Sequence, residues 1–243
     1  MSRYCAFADR FEDGRVHLAD DEAHHLVRVR RFSEGDLFEA TDGKGRRCLC
    51  RLQRDGGIWF GKVLEEVESH SESPFPIVLA QALLKSDKFE WVLQKTTELG
   101  VTEIAPIITK RTEVKLDPRR AAGKLTRWRR ILVEAVKQCG RSRVPLLSEP
   151  VQLQEFVEAP RGLPLWALDE EASESLSQLF RQRSRPSGVV ALVGPEGGWD
   201  PDDRQILSQA SAVSVRLGPR ILRAETAPVA FLSILQHLYG DLS

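Results

Sequence analysis

Residues 189–193 read Val-Val-Ala-Leu-Val and break directly into Gly-Pro-Glu-Gly-Gly. A strand that is apolar at every position has no face to offer to water, so it belongs inside a sheet covered on both sides. Other short apolar runs follow the same rule, at 77–82, 104–108, 145–147, 165–168 and 212–217. Between them the spacing turns helical. Phe89, Val92, Leu93 and Leu99 form one stripe over 87–99 and stop at Gly100; a long amphipathic stretch over 121–139 stops at Gly140. Glycine after the last helical residue is the common C-terminal stop. Over 200–210, Asp200 can cap, Pro201 suits the first helical position and Asp203 completes an acidic variant of the capping box. A last helix is expected over 225–238. Strands alternating with helices predict an α/β domain built on a mostly parallel sheet.

The first third of the chain has a different grain. Short strand-like segments at 4–8, 16–18, 36–40, 46–52 and 58–64 are separated by Asp13-Gly14, Asp42-Gly43 and Asp55-Gly56-Gly57. Such pairs are hairpin signals. Residues 20–32, with an acidic start and apolar Leu26, Val27 and Val29, predict one short helix among them. About 70 residues of short strands hide their edges most economically by closing into a barrel of about five or six strands. The polar stretch Ser69-His70-Ser71-Glu72-Ser73-Pro74 reads as a linker, which divides the chain into domains 1–72 and 73–243.

With 35 Lys+Arg against 35 Asp+Glu the formal charge is zero, but the charges are not evenly spread. Residues 110–143 hold twelve basic against three acidic side chains, and residues 144–180 hold one against seven. That polarity can steer a polyanion to one surface. No apolar run approaches the ~20 residues that span a bilayer, so a cytoplasmic location is expected. Cys5, Cys48, Cys50 and Cys139 form no C-x-x-C pair and read as isolated thiols rather than a metal site.

Ligands of α/β domains bind at the carboxyl ends of the strands. The dinucleotide and P-loop fingerprints are missing; the lone G-x-G, Gly43-Lys44-Gly45, lies between two expected strands and reads as a hairpin. Two other loops stand where a ligand would sit. One is Gly194-Pro195-Glu196-Gly197-Gly198, where glycines permit a sharp turn and close backbone approach. The other is Leu217-Gly218-Pro219-Arg220-Ile221-Leu222-Arg223-Ala224-Glu225-Thr226-Ala227, mixing Arg and Glu around apolar residues.

This pair of loops resembles the bacterial 16S ribosomal RNA methyltransferases that act on N3 of a uridine, a family within the SPOUT class of knotted methyltransferases. Gln94-Lys95-Thr96-Thr97-Glu98-Leu99-Gly100-Val101, Arg111-Thr112-Glu113, Gln138-Cys139-Gly140-Arg141 and the 25–30 stretch extend the resemblance over the whole chain. Leu84-Lys85-Ser86 departs from it, standing where the family has Pro-Lys-Gly.

The resemblance implies a PUA-like barrel followed by a trefoil-knotted domain that binds S-adenosyl-L-methionine and forms a homodimer. Val229, Phe231, Leu232, Leu235 and Leu238 of the last helix are the expected interface. The cofactor would be held by Leu168, Val193, Gly194, Glu196, Gly197, Gly198, Leu217, Gly218, Ile221, Leu222, Arg223 and Thr226, with no metal. Loss of the uracil N3 proton would be favoured by a nearby cation, Arg223, with Glu225 or Glu196 as proton acceptor. Small-subunit rRNA would be gripped by Arg3, Arg28, Arg30, Lys85, Arg111, Arg129 and Arg141, and Trp128 would either stack on a base or join the core. Two rivals are a SPOUT enzyme with another target and an assembly factor that has lost catalysis.

Overall fold

The computed structural model describes residues 4–68, 71–115 and 118–242; Arg3 and the linker residues Ser69 and His70 lie outside them. The chain forms two compact units, Met1–Glu72 with Val133–Val144, and Ser73–Leu132 with Pro145–Ser243.

In the first unit β1 (Cys5–Glu12), β2 (Arg15–Leu18), β3 (Leu37–Thr41), β4 (Arg47–Asp55) and β5 (Ile58–Glu66) close a barrel in the order β1-β2-β5-β4-β3. Its five strands are the expected ones, with positive φ at Asp13, Gly14, Gly43, Gly56 and Gly57 in the turns. Alternate residues of each strand fill the interior, among them Ala6, Ala8, Phe38, Ala40, Cys48, Cys50 and Leu52. The expected single helix is instead two pieces, α1 (Asp20–His24) and a π-helical turn, His25–Val29, ended by Arg31 at φ 60°.

In the second unit every strand pairing is parallel among the described residues. The strands are β6 (Ile77–Ala82), β7 (Glu103–Ile108), β8 (Leu146–Leu147), β9 (Val151–Gln152), β10 (Leu165–Leu168), β11 (Val189–Val193) and β12 (Val213–Val215). Their order is β12-β10-β11-β6-β7-β8, with β9 also beside β7. The helices are α2 (Ser86–Glu98), α3 (Pro118–Cys139), α4 (Leu153–Glu158), α5 (Leu176–Gln182), α6 (Pro201–Gln209) and α7 (Thr226–Tyr239). From Val133 onward α3 belongs to the barrel unit.

The apolar strand β11 is buried at all five positions. Val190 and Leu192 pack with Leu153 and Phe156 of α4 and Leu207 of α6, while α7 packs against α2 and β11. Both faces are therefore covered, which is why no position of β11 is polar. Asp200 and Asp203 form the capping box of α6 with Pro201 in the first turn, as expected. Helices α4 and α5 are a turn or two long and strand β9 has two residues, too short for any of them to show a period in the sequence. Trp128 is core, its ring 4.7 Å from that of Phe89. Among the described residues no helix is long and apolar enough to cross a membrane, and no cluster of His, Cys, Asp or Glu could hold a metal.

Candidate cofactor cavity

Strand β11 is inserted between β10 and β6, and β12 lies outside β10. The loops that leave the carboxyl ends of β10, β11 and β12 therefore converge, and between them lies a cavity of about 320 Å³. Leu168, Val193, Val215, Leu217 and Leu222 give it apolar walls, and Gly194, Pro195, Glu196, Gly198 and Gly218 bring backbone close to its interior.

Trp199 closes one side. It is 1% exposed, and its Nε1–H donates to the carbonyl of Leu168 at 2.7 Å. A Cβ on Gly194 would stand 3.3 Å from the Trp199 ring, so a side chain there would press on the indole. Gly198, at φ +69°, makes the left-handed bend that the turn needs. On the cavity wall, the 5% exposed Asp169 accepts two bonds from Arg204, at 2.8 and 3.1 Å. Those bonds raise the Arg204 guanidinium above its ordinary value and pin the loop after β10 to α6.

The charged groups gather on one side. Lys88 of α2 places Nζ 3.5 Å from Glu196 and 3.6 Å from Glu225. Arg223 is 80% exposed and stands 3.9 Å from the other oxygen of Glu225. Glu225 precedes α7 without capping it, and its Oε2 is buried with no hydrogen-bond partner. A carboxylate oxygen in that state has capacity for a donor or a cation.

Ten of the expected cofactor residues line this cavity: Leu168, Val193, Gly194, Glu196, Gly198, Leu217, Gly218, Ile221, Leu222 and Arg223. Gly197 and Thr226 do not. The Gly197 carbonyl turns away to accept from Arg111 at 2.9 Å, and the Thr226 N–H donates to the Arg223 carbonyl at the start of α7. Glu225 joins Glu196 and Arg223 as expected, but Lys88 and Trp199 went unrecognised in the sequence. Trp199 adjoins the Gly-Gly turn and could have been found there; nothing in the spacing singles out Lys88.

The expected RNA contacts scatter. Arg111 is engaged with Asp200 at 3.2 Å and buttresses the 194–198 turn. Arg141 is 4% exposed and paired with Glu72 at 2.8 Å, so it is turned inward rather than presented to a polyanion. Lys110, Arg127 and Lys137 of the same basic stretch also have carboxylate partners, Asp202, Glu90 and Glu22. The surplus of positive charge is thus partly neutralised by acids distant in sequence. Arg129 is exposed on α3, Lys85 is exposed 3.8 Å from Glu113, and Arg28 and Arg30 lie on the π-helical turn and just after it.

A model of an RNA methyltransferase domain matches residues 71–236, and one of an RNA methyltransferase PUA domain matches residues 18–58. The ribosomal RNA small subunit methyltransferase E of Bacillus subtilis is 32% identical over 235 residues, 92% of each chain. This chain belongs to that family. The methyltransferase E of a Synechocystis strain is 35% identical over 229 residues, covering 93% of this chain and 74% of the relative. The methyltransferase E of Neisseria gonorrhoeae, solved bound to S-adenosyl methionine, superposes with a TM-score of 0.89 at 31% identity over the full length of both chains. A Legionella pneumophila protein described as a methyltransferase with bound cofactor SAM gives 0.90 at 33%, also over both full lengths.

Proposed function

We propose that this methyltransferase E family member transfers a methyl group from S-adenosyl-L-methionine to N3 of a uridine in 16S rRNA of the small ribosomal subunit. The observation that carries the reading is the cavity at the ends of β10, β11 and β12, where ten expected cofactor residues meet. Its features suit that cofactor. Apolar Leu168, Val193, Leu217 and Leu222 offer walls for a flat heterocycle, and Gly194, Gly198 and Gly218 bring backbone to the same cavity. Glu225 Oε2, buried, without a hydrogen bond and facing only the Lys88 ammonium at 3.6 Å, suits a cationic ligand.

When bound, S-adenosyl-L-methionine supplies the electrophilic methyl group, so the chain itself must place the base and manage one proton. Glu225, held by Lys88 and Arg223, or Glu196, on the other side of Lys88, accepts the N3 proton. Arg223 at the exposed rim favours the anionic imide that remains. N3 lies on the Watson–Crick edge, so the base must arrive unpaired. Domain 1–72 serves as the RNA-docking module, with Arg28 and Arg30 toward the phosphates, and domain 73–243 as the catalytic one.

We also read the carboxyl end as a trefoil knot and the enzyme as a cytoplasmic homodimer. The insertion of β11 between β10 and β6, with the 217–225 segment turning back toward Lys88, supports the knot. Within α7, Phe231, Leu232 and Leu235 are spent on the core. Ile234 and Leu238 remain, and with Leu176, Phe180 and Leu217 they line an apolar hollow of about 540 Å³ that a second copy would fill.

Nucleoside mass mapping of small-subunit RNA, with and without the gene, tests the reaction: one N3-methyluridine should vanish on deletion. An unchanged map overturns the assignment. Sedimentation at micromolar concentration tests the dimer, which a purely monomeric boundary overturns.

A further inference from the structure

The barrel carries a hollow of its own, of about 280 Å³, that the methyl-transfer reading leaves unused. It lies between α1 with its π-helical turn and the start of β5, and Ala23, His24, Val27, Arg28, Ile58 and Trp59 supply its distinctive walls.

Three further features bear on what enters it. Trp59 is only partly buried, and across the β4–β5 hairpin the Arg54 guanidinium lies over its ring, 5.4 Å from the centroid, so Arg54 backs the indole that forms one wall of the hollow. Arg28, at the hollow, is exposed and makes no ion pair among the described residues, unlike much of the 110–143 stretch. An unpaired cation beside an aromatic wall complements a base attached to phosphate. Finally, the helix here is locally widened: the Arg30 N–H donates to the His25 carbonyl, five residues back, at 2.9 Å. That extra residue keeps Leu26 fully buried while leaving Val29 59% exposed and Arg28 on the rim. π-Turns are rare and concentrate at functional sites. The matched PUA-domain segment, residues 18–58, includes the whole helical wall and Ile58.

We propose that this hollow is a nucleobase pocket: one unstacked base of single-stranded RNA stacks on Trp59, with Arg28 taking an adjoining phosphate. Its role would be to hold the substrate RNA by a base other than the one methylated, and it rests on the RNA-substrate reading above. His24 and Asp20 at its edge offer a polar rim against which base edges can be distinguished.

The test is fluorescence anisotropy of the full chain with a labelled ten-nucleotide single-stranded RNA and with the same sequence as a duplex. Trp59→Ala should weaken single-strand binding about 5-fold to 100-fold, the range for loss of one base–aromatic stack, and change duplex binding less than about twofold. Because Trp59 also packs on the barrel core, the exposed pair His24→Ala/Arg28→Ala provides a variant that spares the fold, and it should weaken the single strand at least about fivefold. If both variants are folded by circular dichroism and bind the single strand like the wild type, the pocket is overturned. If Trp59→Ala does not fold, Trp59→Leu, which keeps an apolar side chain there but no aromatic face, takes its place beside the paired variant. Methyl transfer and S-adenosylmethionine calorimetry on the same proteins separate the two readings. Trp59-dependent binding without any transfer overturns the methyltransferase reading and leaves the pocket standing; full transfer with unaltered RNA affinity in every variant does the reverse.

Discussion

Trp199 donates its indole N–H to the carbonyl of Leu168 at 2.7 Å, tying the turn after β11 to the end of β10. That bond fixes the separation of two of the three loops around the cofactor cavity. Trp199→Phe keeps most of the ring volume but leaves the Leu168 carbonyl without its buried donor, at a cost of about 1–3 kcal/mol. Denaturant unfolding should show this loss, and calorimetry should show weaker S-adenosylmethionine binding. A variant with unaltered affinity would mean that the turn is held by other means.

The two glycines of the 194–198 turn should behave differently. A side chain on Gly194 meets the Trp199 ring at 3.3 Å, whereas one on Gly197 meets the aliphatic part of Arg111 at 3.4 Å, off the cavity. Gly194→Val should therefore lower both stability and cofactor affinity by more than Gly197→Val does. Parallel calorimetry and thermal melts of the two variants check the order.

Lys88, Glu196 and Glu225 form one charged group, and Lys88 is shared between the two acids. Glu225→Gln should slow single-turnover methyl transfer by about 100-fold if Glu225 is the proton acceptor, with S-adenosylmethionine affinity little changed. Lys88→Met should slow transfer as well, and Lys88→Arg should restore part of it. Arg223→Ala should cost turnover more than RNA binding. If Glu196→Gln has the large effect and Glu225→Gln none, the acceptor is the other carboxylate.

Basic residues of the 110–143 stretch separate by partner. Arg129 is exposed, so Arg129→Ala should weaken subunit binding and lower the salt-dependence slope by about one unit. Arg141 is buried against Glu72; Arg141→Ala leaves Glu72 only the Ser142 and Arg143 donors and should cost about 1–3 kcal/mol of stability. A salt titration and a denaturation curve for each variant distinguish the two roles.

The barrel should be the alkali-sensitive part of the chain. Burial pushes the thiols of Cys5 and Cys50 up to about 11 and about 12, and burial next to Glu22 pushes the Tyr4 hydroxyl up to about 12. For Lys137 burial acts downward, but bonding to Glu22 outweighs it and the ammonium is raised. All four folded-state values lie above the unfolded ones, so the stability they contribute is complete below about pH 9 and is lost as the pH rises through the folded values. Denaturant unfolding at pH 7, 9 and 10.5 should show a progressive fall, shallower in Cys50→Ala. Constant stability to pH 10.5 would contradict the assignment.

Local signals were enough for much of this. The hairpin pairs Asp13-Gly14 and Asp55-Gly56 mark turns whose φ values L-residues rarely adopt, and with Asp42-Gly43 they join β1 to β2, β3 to β4 and β4 to β5. A strand without a polar position, 189–193, leaves a doubly covered sheet as the only solution, and Asp200, Pro201 and Asp203 announce a helix start through bonds that span three residues. The two loops at strand ends were legible for the same reason, since their glycines answer to local backbone demands.

What the sequence left open depends on contacts between residues far apart along it. The order of β11 between β10 and β6 is what brings three loops to one cavity, and no spacing in the chain states that order. Lys88 gains its place between Glu196 and Glu225 across more than a hundred residues. Arg141 looks like a surface cation until Glu72 is packed against it. Helical and turn preferences act over a few bonds, whereas the burial and pairing of a charge are settled only when the whole chain is folded around it.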